Sequence, residues 1–178
     1  MVEIDQWIAQ FPVCQYEIVP SEKIPFSEKV RFICREECER YGKSWSCPPA
    51  VGSVEECRQR CLEYPRALVF TTLAEVNDMA VMAETLATRG GHEKISRAIC
   101  RELEDRGYSC LCLSSESCQI CESCAYPEAC RHPEAAIPCV ESYGILVTEL
   151  AEMCGMDFYY DSHTVTWFGL IFFKDKER

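Results

Sequence analysis

The sequence predicts an α/β or α+β fold, with helices packed on a mixed β-sheet and a long cysteine-rich loop that binds metal. Helical and strand patterns alternate along the chain, which is typical of helices packed on a sheet. About 25 residues from position 114 onward follow neither pattern, although loops of that length are rare in compact domains. Fifteen of the 178 residues are cysteine, and thiolate–metal bonds can order such a loop. No linker divides the chain, so we expect one domain over residues 1–178.

The first half of the chain contains two predicted strands and one predicted helix. Residues 15–19 form a short segment before Pro20 that predicts a strand. The residues Ser53-Val-Glu-Glu56 are a capping-box pattern, so we expect a helix to begin there and to end near Glu63. The apolar segment Ala67 to Thr72 favours a buried strand.

The second half contains three predicted helices and three predicted strands. Apolar residues at helical spacing predict helices over 75–88 and 92–106, separated by Gly90-Gly91. A strand over 108–113 leads into the long loop. Residues 140–154 predict a helix that ends at Gly155. Residues 156–160 and 164–173 predict two further strands joined by a turn, so we expect the chain to finish in a hairpin-like pair.

The charge and the apolar content exclude several classes of protein. Eighteen Lys and Arg residues against 29 Asp and Glu residues leave a net charge of −11, which argues against nucleic acid and anionic membranes as partners. The longest strongly apolar run, Val165 to Phe173, is too short to cross a bilayer. The first residues have no secretory-signal pattern, and an odd number of cysteines cannot all pair within the chain. We therefore expect a cytoplasmic protein, whose clustered thiols bind metal or do redox chemistry.

The cluster loop (residues 114–139) carries the strongest motif. Its spacing is C-x2-C-x2-C-x5-C, formed by Cys118, Cys121, Cys124 and Cys130. Two-residue spacers let a tight turn direct successive sulfurs at one centre, and bacterial ferredoxins bind [4Fe–4S] clusters through a related C-x2-C-x2-C-x3-C-P run. The longer last gap leaves open whether Cys130 binds the same centre. Zinc, which usually takes two separated ligand pairs, and a redox dithiol are the alternatives.

The amino-terminal cysteine motif (residues 34–61) predicts a second ligand set. It comprises Cys34-x3-Cys38 and then Cys47-Pro48-Pro49. If residues 34–38 are helical, Cys34 and Cys38 point the same way, because residues four apart share a helix face. Three cysteines leave either an open iron in a cluster or a place for a fourth ligand. The candidates for that ligand are Cys57, Cys61, Cys110, Cys112, Cys139 and a carboxylate.

The remaining cysteines and the acidic residues of the loop carry weaker signals. Cys100 and Cys154 lie beside apolar helix positions, so we expect them in the core. Cys110 and Cys112 share one face of a predicted strand. Five glutamates lie between positions 113 and 145, where Arg131 is the one Lys or Arg: Glu116, Glu122, Glu128, Glu134 and Glu141. A negative rim of this kind would suit docking of a basic redox protein.

The motifs resemble those of a known family. The patterns that carry the resemblance are Cys34-x3-Cys38-x2-Tyr41-Gly42-x4-Cys47-Pro48-Pro49, Cys118-x2-Cys121-x2-Cys124-x5-Cys130-Arg131-His132-Pro133, Pro138-x2-Glu141-x2-Gly144-Ile145 and Val165-Thr166-Trp167-Phe168-Gly169-Leu170. Over residues 30–173 the chain is similar to the predicted metal-binding proteins of domain-of-unknown-function family 2284. The resemblance implies a bacterial or archaeal protein, often from an anaerobe, that holds iron–sulfur clusters through the seven motif cysteines. It implies no particular reaction, and Cys139 departs from the family pattern.

We therefore predict a protein with one or two [4Fe–4S] clusters, which transfers single electrons as a carrier or as an accessory protein of a redox enzyme. Two alternatives remain open. An enzyme would use a cluster with an open iron, and would have a pocket against Cys34, Cys38 and Cys47. A zinc-binding structural, interaction or metal-delivery protein would lose its fold on chelation without a redox change.

Overall fold

Four antiparallel strands form one sheet in the computed structural model, which describes residues 4–176. The strands are β1 (Gln15–Pro20), β2 (Arg66–Glu75), β3 (Tyr108–Leu113) and β4 (Thr164–Asp175), and their order in the sheet is β1-β2-β4-β3. Every strand pair is antiparallel, so of the two predicted classes the fold is α+β, and the predicted mixed sheet is wrong because no two paired strands within residues 4–176 run parallel. Residues 1–3 and 177–178 lie outside the described residues. The prediction that the first residues form no secretory signal falls partly on them.

A hydrophobic core covers each face of the sheet. Along β2, Leu68 and Phe70 belong to one core, whereas Ala67 and Val69 belong to the other, because successive side chains of a strand point to opposite faces. The strand β4 lies between β2 and β3 and contributes to both cores in the same way. The apolar run 165–173 is therefore the buried centre of the sheet. Within residues 4–176, no helix has the length and apolar character needed to cross a membrane.

The α-helices lie on both faces of the sheet. They are α1 (Glu28–Glu37), α2 (Val54–Leu62), α3 (Met82–Asp105) and α4 (Val147–Cys154). The helix α3 packs on one face through Ile99 and Leu103, and α2 and α4 contribute to the core on the other face. The predicted capping box of α2 is present, since the Ser53 hydroxyl accepts from the Glu56 amide and the Glu56 carboxylate accepts from the Ser53 amide at 2.7 Å.

Residues 82–105 form one continuous helix, so the predicted break at Gly90-Gly91 is wrong. Neither glycine takes a positive φ, and both lie within the helix. A Cβ atom on Gly90 would lie 2.9 Å from the side-chain amide of Gln119 in the cluster loop, whereas Gly91 faces open space. Gly90 therefore allows the loop to approach the helix, a role that periodicity cannot reveal. Residues 75–81, predicted to be helical, instead end β2 and form a turn.

The segment from 140 to 160 also differs from its prediction. A 3-10 turn over Glu141–Tyr143 and Gly144, with a φ of 81°, precede α4, so one helix over 140–154 is wrong. The Val54 side chain lies 2.7 Å from the place of a Cβ atom on Gly144, where the chain turns. The predicted strand over 156–160 is also wrong: β4 already pairs with β2 and β3, so neither of its edges is free for a hairpin partner.

The two ends of the cluster loop meet at the end of β3. The Ser114 amide donates to the Pro138 carbonyl at 3.0 Å, and the Ser114 carbonyl accepts from the Val140 amide at 2.8 Å. The Ser115 hydroxyl donates to the Phe168 carbonyl of β4 at 2.8 Å. Between these anchors the described chain forms only one short 3-10 turn, Pro133–Ala135, so the predicted long loop is confirmed.

Candidate metal centre

The four cysteines of the cluster-loop motif line one cavity. Its volume is about 30 Å³, roughly that of one water molecule. All four thiols are half-buried, and the wall also contains residues 44–46 and His132: the cysteines are Cys118, Cys121, Cys124 and Cys130. The fold therefore brings together the set that the spacing predicts, including Cys130 after the longer gap.

The segment Ser44-Trp45-Ser46, directly before Cys47, forms the opposite wall of this cavity. The buried Ser46 hydroxyl accepts a hydrogen bond from the Cys118 amide at 2.9 Å. The Trp45 Nε1 donates to the Glu128 carbonyl at 2.7 Å. The amino-terminal cysteine motif thus holds the cluster loop at two points, at the first of the four cysteines and between the last two.

The helix α3 holds the cluster loop from another side. The Gln119 amide donates to Glu93 Oε2 at 3.1 Å, and Glu93 forms a salt bridge with Arg97 at 2.7 Å. Arg97 also donates to the Ala135 carbonyl at 2.6 Å. Glu93 is only 7 % exposed, so its charge depends on this partner. The Glu93–Arg97 ion pair therefore contacts the loop at Gln119, before the last three cysteines of the motif, and at Ala135, after them.

Hydrogen bonds favour the metal-binding form of Cys124. Burial raises the pKa of its thiol, but hydrogen bonds from the backbone of Tyr126 and Trp45 and from the Ser44 hydroxyl outweigh burial and lower the pKa. The thiolate is the form that binds metals. Arg131 also lines the cavity and donates to the Ser123 carbonyl at 2.9 Å, which places a cation beside the thiols.

A second, larger cavity adjoins the first. Its volume is about 840 Å³, and its wall includes three cysteines of the cluster loop together with Cys38, Arg40 and Lys43. Cys34 lies in α1, but the helix ends at Glu37 and the exposed Cys38 follows it in an extended conformation, so the predicted helix over 34–38 does not reach Cys38. The pocket predicted for an enzyme lay against Cys34, Cys38 and Cys47. Of these three residues, Cys38 lines the large cavity, and Cys34 and Cys47 do not.

Cys47 is buried beside Cys139, a cysteine 92 positions away in the sequence. The hydrogen bond between the two thiols lowers the pKa of Cys47 to about 7, although burial opposes this, and Ser46 and Ser44 assist it. The same bond, with burial, raises the pKa of Cys139, whose sulfur also accepts from the Ser142 amide at 3.2 Å. Among the candidates for a fourth ligand, the structure thus places Cys139 next to the amino-terminal set.

Cys34 and Glu141 lie near this thiol pair. Burial raises the pKa of Cys34 to about 11, and the Cys38 thiol adds to the effect while Arg31 opposes it. The Oε2 atom of Glu141 is buried and has no hydrogen-bond partner among residues 4–176, and burial raises the pKa of Glu141 to about 7. Glu141 therefore does not belong to the predicted acidic rim. Its exposed members are Glu122, Glu128 and Glu134.

The donor set of the small cavity suits a thiophilic metal. Four thiols and one imidazole line it, and no carboxylate of the described chain does. Soft sulfur ligands select zinc, copper(I) or iron–sulfur centres over magnesium and calcium. Within residues 4–176, no three Cys, His, Asp or Glu side chains surround a single-ion position. A bound metal would therefore have to draw the thiols towards it.

Comparison with protein families bears directly on this chemistry. The family described as "Predicted metal-binding protein (DUF2284)" matches residues 17–173. The chain belongs to this family. No curated protein and no solved structure matches it. Membership of DUF2284 confirms the resemblance of the cysteine motifs, and the family description states metal binding without naming the metal.

In this DUF2284 chain, cysteine spacing identified the thiols of the loop but not the groups that position them. Ser46 and Glu93 were missed, although both bond the backbone of the cluster loop. A local signal existed for Ser46, because two serines flank a tryptophan directly before Cys47. None existed for Glu93, which is one of many helical glutamates. Cys57 and Cys61, candidates for a fourth ligand, are fully buried in the core.

Proposed function

We propose that the chain binds a [4Fe–4S] cluster through the four cysteines of the cluster loop and that this cluster transfers single electrons. The observation that carries the proposal is that Cys118, Cys121, Cys124 and Cys130 border one cavity. The first three follow the spacing that ferredoxins use for such clusters. Burial and the hydrogen bonds around the sulfurs would set the reduction potential.

A single zinc ion is the second candidate, and the size of the small cavity favours it. A volume of about 30 Å³ accommodates one ion, whereas a cubane would have to displace the walls. The larger cavity shares Cys118, Cys121 and Cys124 with the small one, so there is space next to three of the four ligands. That space, together with the two consecutive two-residue gaps between Cys118, Cys121 and Cys124, is why we favour the iron–sulfur cluster.

Metal analysis of the full chain tests the proposal. After anaerobic purification, we expect about four iron and four sulfide per chain for one cluster, or about eight of each if Cys34, Cys38 and Cys47 hold a second. The variants C118S, C121S, C124S and C130S should each lose iron and sulfide. The variant C154S is the matched control, because Cys154 is also half-buried but lies in α4, away from the small cavity, and it should keep the full content.

The same experiment separates the two candidates. A brown protein that gives a reversible electron paramagnetic resonance signal on reduction supports the cluster. A colourless protein with about one zinc per chain, lost in the same four variants, would replace the cluster with the zinc site. Wild-type protein that binds neither metal would overturn both.

We further propose that the electron-transfer partner is a basic protein. The support is the net charge of −11 and the three exposed glutamates of the cluster loop, Glu122, Glu128 and Glu134. Opposite charges speed association, and salt screens the effect. The reduced protein should reduce a basic c-type cytochrome at a rate that falls as salt rises. The triple variant E122Q/E128Q/E134Q should show a weaker salt dependence, and an unchanged dependence would contradict this docking surface.

A further inference from the structure

Three cysteines outside the metal centre form a second group, the thiol triad (Cys100, Cys110 and Cys112). Cys100 lies in α3, and the other two lie on the same face of β3. All three line a cavity of about 420 Å³ on this side of the sheet. Cys112 is buried and donates to the Ser96 carbonyl at 3.8 Å, whereas Cys100 and Cys110 are half-buried. Cys100, which the sequence predicts in the core, packs against it but is only half-buried and also borders the cavity.

The three thiols contact one another and share one favoured site of ionisation. The neighbouring Cys110 thiol is the largest cause that lowers the pKa of Cys100 to about 4; the nearby Cys112 thiol, Arg101 and Arg97 add to the lowering, and burial opposes it. The pKa values of Cys110 and Cys112 are raised by the same contacts and by burial. Of the three thiols, Cys100 is therefore the one that loses its proton most readily.

We propose that Cys100 and Cys110 are a thiol–disulfide exchange pair that reacts with low-molecular-weight disulfides. Cys100 is the attacking residue because it lines the cavity together with Arg97 and Arg101 of the same helix, and neighbouring cations favour a thiolate. Cys110 is its partner because it is half-buried on the cavity wall, whereas Cys112 is buried and already bonded to the Ser96 carbonyl. This site is separate from the proposed metal centre.

The exchange is balanced in two steps. The Cys100 thiolate attacks one sulfur of the small disulfide, so that a mixed disulfide forms and one thiolate leaves. The Cys110 thiol then loses its proton and attacks the Cys100 sulfur, which forms the Cys100–Cys110 bond and releases the second thiolate. The protein dithiol is oxidised by two electrons, and the small disulfide is reduced to two thiols.

The walls of the cavity set the class of disulfide. Its charged residues are Arg97, Arg101, Glu104 and Glu134. Arg97 already forms a salt bridge with Glu93. The exposed Arg101 is therefore the cation that can bind a carboxylate of the incoming molecule. Oxidised glutathione carries such carboxylates, and it is the probe for this site.

Peptide mapping after reaction with oxidised glutathione tests the proposal on the full chain, purified anaerobically. We expect a Cys100–Cys110 disulfide, two glutathione thiols released per chain and reversal by dithiothreitol. The variant C110S should stop at the mixed disulfide and keep one glutathione on Cys100. The variant C100S should form neither product, and C154S, with a half-buried cysteine outside the triad, should react as the wild type does.

Three outcomes would overturn the assignment. These are glutathione on the exposed Cys14 or Cys38 while Cys100 stays free, a disulfide that joins Cys112 instead, and wild-type reactivity in C100S. Metal content of C100S is measured alongside, with far-ultraviolet circular dichroism as a check on folding. Loss of iron or zinc from folded C100S would make Cys100 a metal ligand and would also overturn the exchange pair. Failure of the iron–sulfur proposal leaves these outcomes unchanged, so the two proposals fail separately.

Discussion

At the scale of single residues, the cysteines of this chain differ in acidity because their neighbours differ. Burial raises the pKa of Cys61, which lies on the buried face of α2 and packs in the core. Neighbouring thiols instead lower the pKa of Cys47 to about 7 and that of Cys100 to about 4. Because thiolates bind metals and attack disulfides, these shifts disfavour the reactive form of Cys61 and favour that of Cys47 and Cys100. The same side chain thus serves as core, candidate ligand or candidate nucleophile.

His92 is a buried titratable residue remote from these thiols. It is 2 % exposed, its Nδ1 atom lies 2.8 Å from the Thr72 hydroxyl, and its ring lies near those of Phe70 and Trp167. Burial lowers the pKa of His92 from 6.5 to about 4. As the pH falls below 6.5, His92 binds a proton in the unfolded chain but not in the folded chain. The free energy of unfolding therefore decreases progressively down to about pH 4.

Substitution of His92 by glutamine should reduce this acid sensitivity. Over the interval from pH 6.5 to 4, we expect the wild type to lose about 3 kcal/mol more of its free energy of unfolding than H92Q does. Urea unfolding of the metal-free proteins at several pH values measures the difference. The variant T72V is the control, since it removes the hydrogen bond but keeps the buried imidazole and the pH dependence. Parallel curves for wild type and H92Q would contradict the prediction.

At the scale of elements, two glycines lie where neighbouring segments approach each other closely. In β4, Gly169 stands opposite Phe70 of β2, and the Phe70 ring fills the place of a Cβ atom. A glycine normally weakens a strand, but here it admits an aromatic ring into one of the two cores. Gly90 similarly admits Gln119 beside α3.

The glycine pair of α3 offers a matched test of this interpretation. The variant G91A should stabilise the protein by about 1 kcal/mol, because alanine favours a helix and nothing lies within 4 Å of the new methyl group. The variant G90A should gain less, since its methyl group has to displace the Gln119 side chain. Urea unfolding of both variants measures the difference. Equal increases in the free energy of unfolding would show that Gly90 is not needed for the cluster loop to pack against α3.

At the scale of the whole molecule, the sheet and the metal centre are stabilised by different means. Apolar cores on both faces hold β2 and β4, whereas the cluster loop is held by hydrogen bonds, one ion pair and the proposed metal. Small zinc domains without such cores unfold when the metal leaves. In the part of this protein that the structure describes, neither core contains any of the seven motif cysteines, so we expect both cores to form without the metal.

Removal of the metal should therefore release the loop and leave the sheet intact. Hydrogen exchange, measured before and after chelation under reducing conditions, should show lost protection in residues 114–139 and 42–47. Amides of β2 and β4 should stay protected, as should those of α2, whose capping box is independent of the centre. Loss of protection throughout β2 and β4 would show instead that the metal is needed for the entire fold.

Local patterns predicted much of this fold, and long-range contacts account for the errors. Alternation predicted strand β3, a capping box predicted helix α2, and the lack of either pattern predicted the long loop. All three predictions lie close to the observed bounds. The break at Gly90-Gly91 was wrong because packing against the loop decides the conformation there. The predicted strand over 156–160 was wrong because β2 and β3 already pair with the two edges of β4, and a local pattern does not show the order of strands in the sheet.

By itself, the sequence determined that helices pack on a sheet and that four cysteines of the cluster loop form one motif, because spacing of a few residues governs turns, caps and which sulfurs can reach one centre. The choice of α+β over α/β came from the antiparallel pairing of the strands. Only the tertiary structure decided that Cys47 contacts Cys139, that Cys100 contacts Cys110 and Cys112, and that Ser46 and Glu93 hold the loop. These contacts join residues far apart in the chain, so they exist only after the cores on the two faces of the sheet have formed.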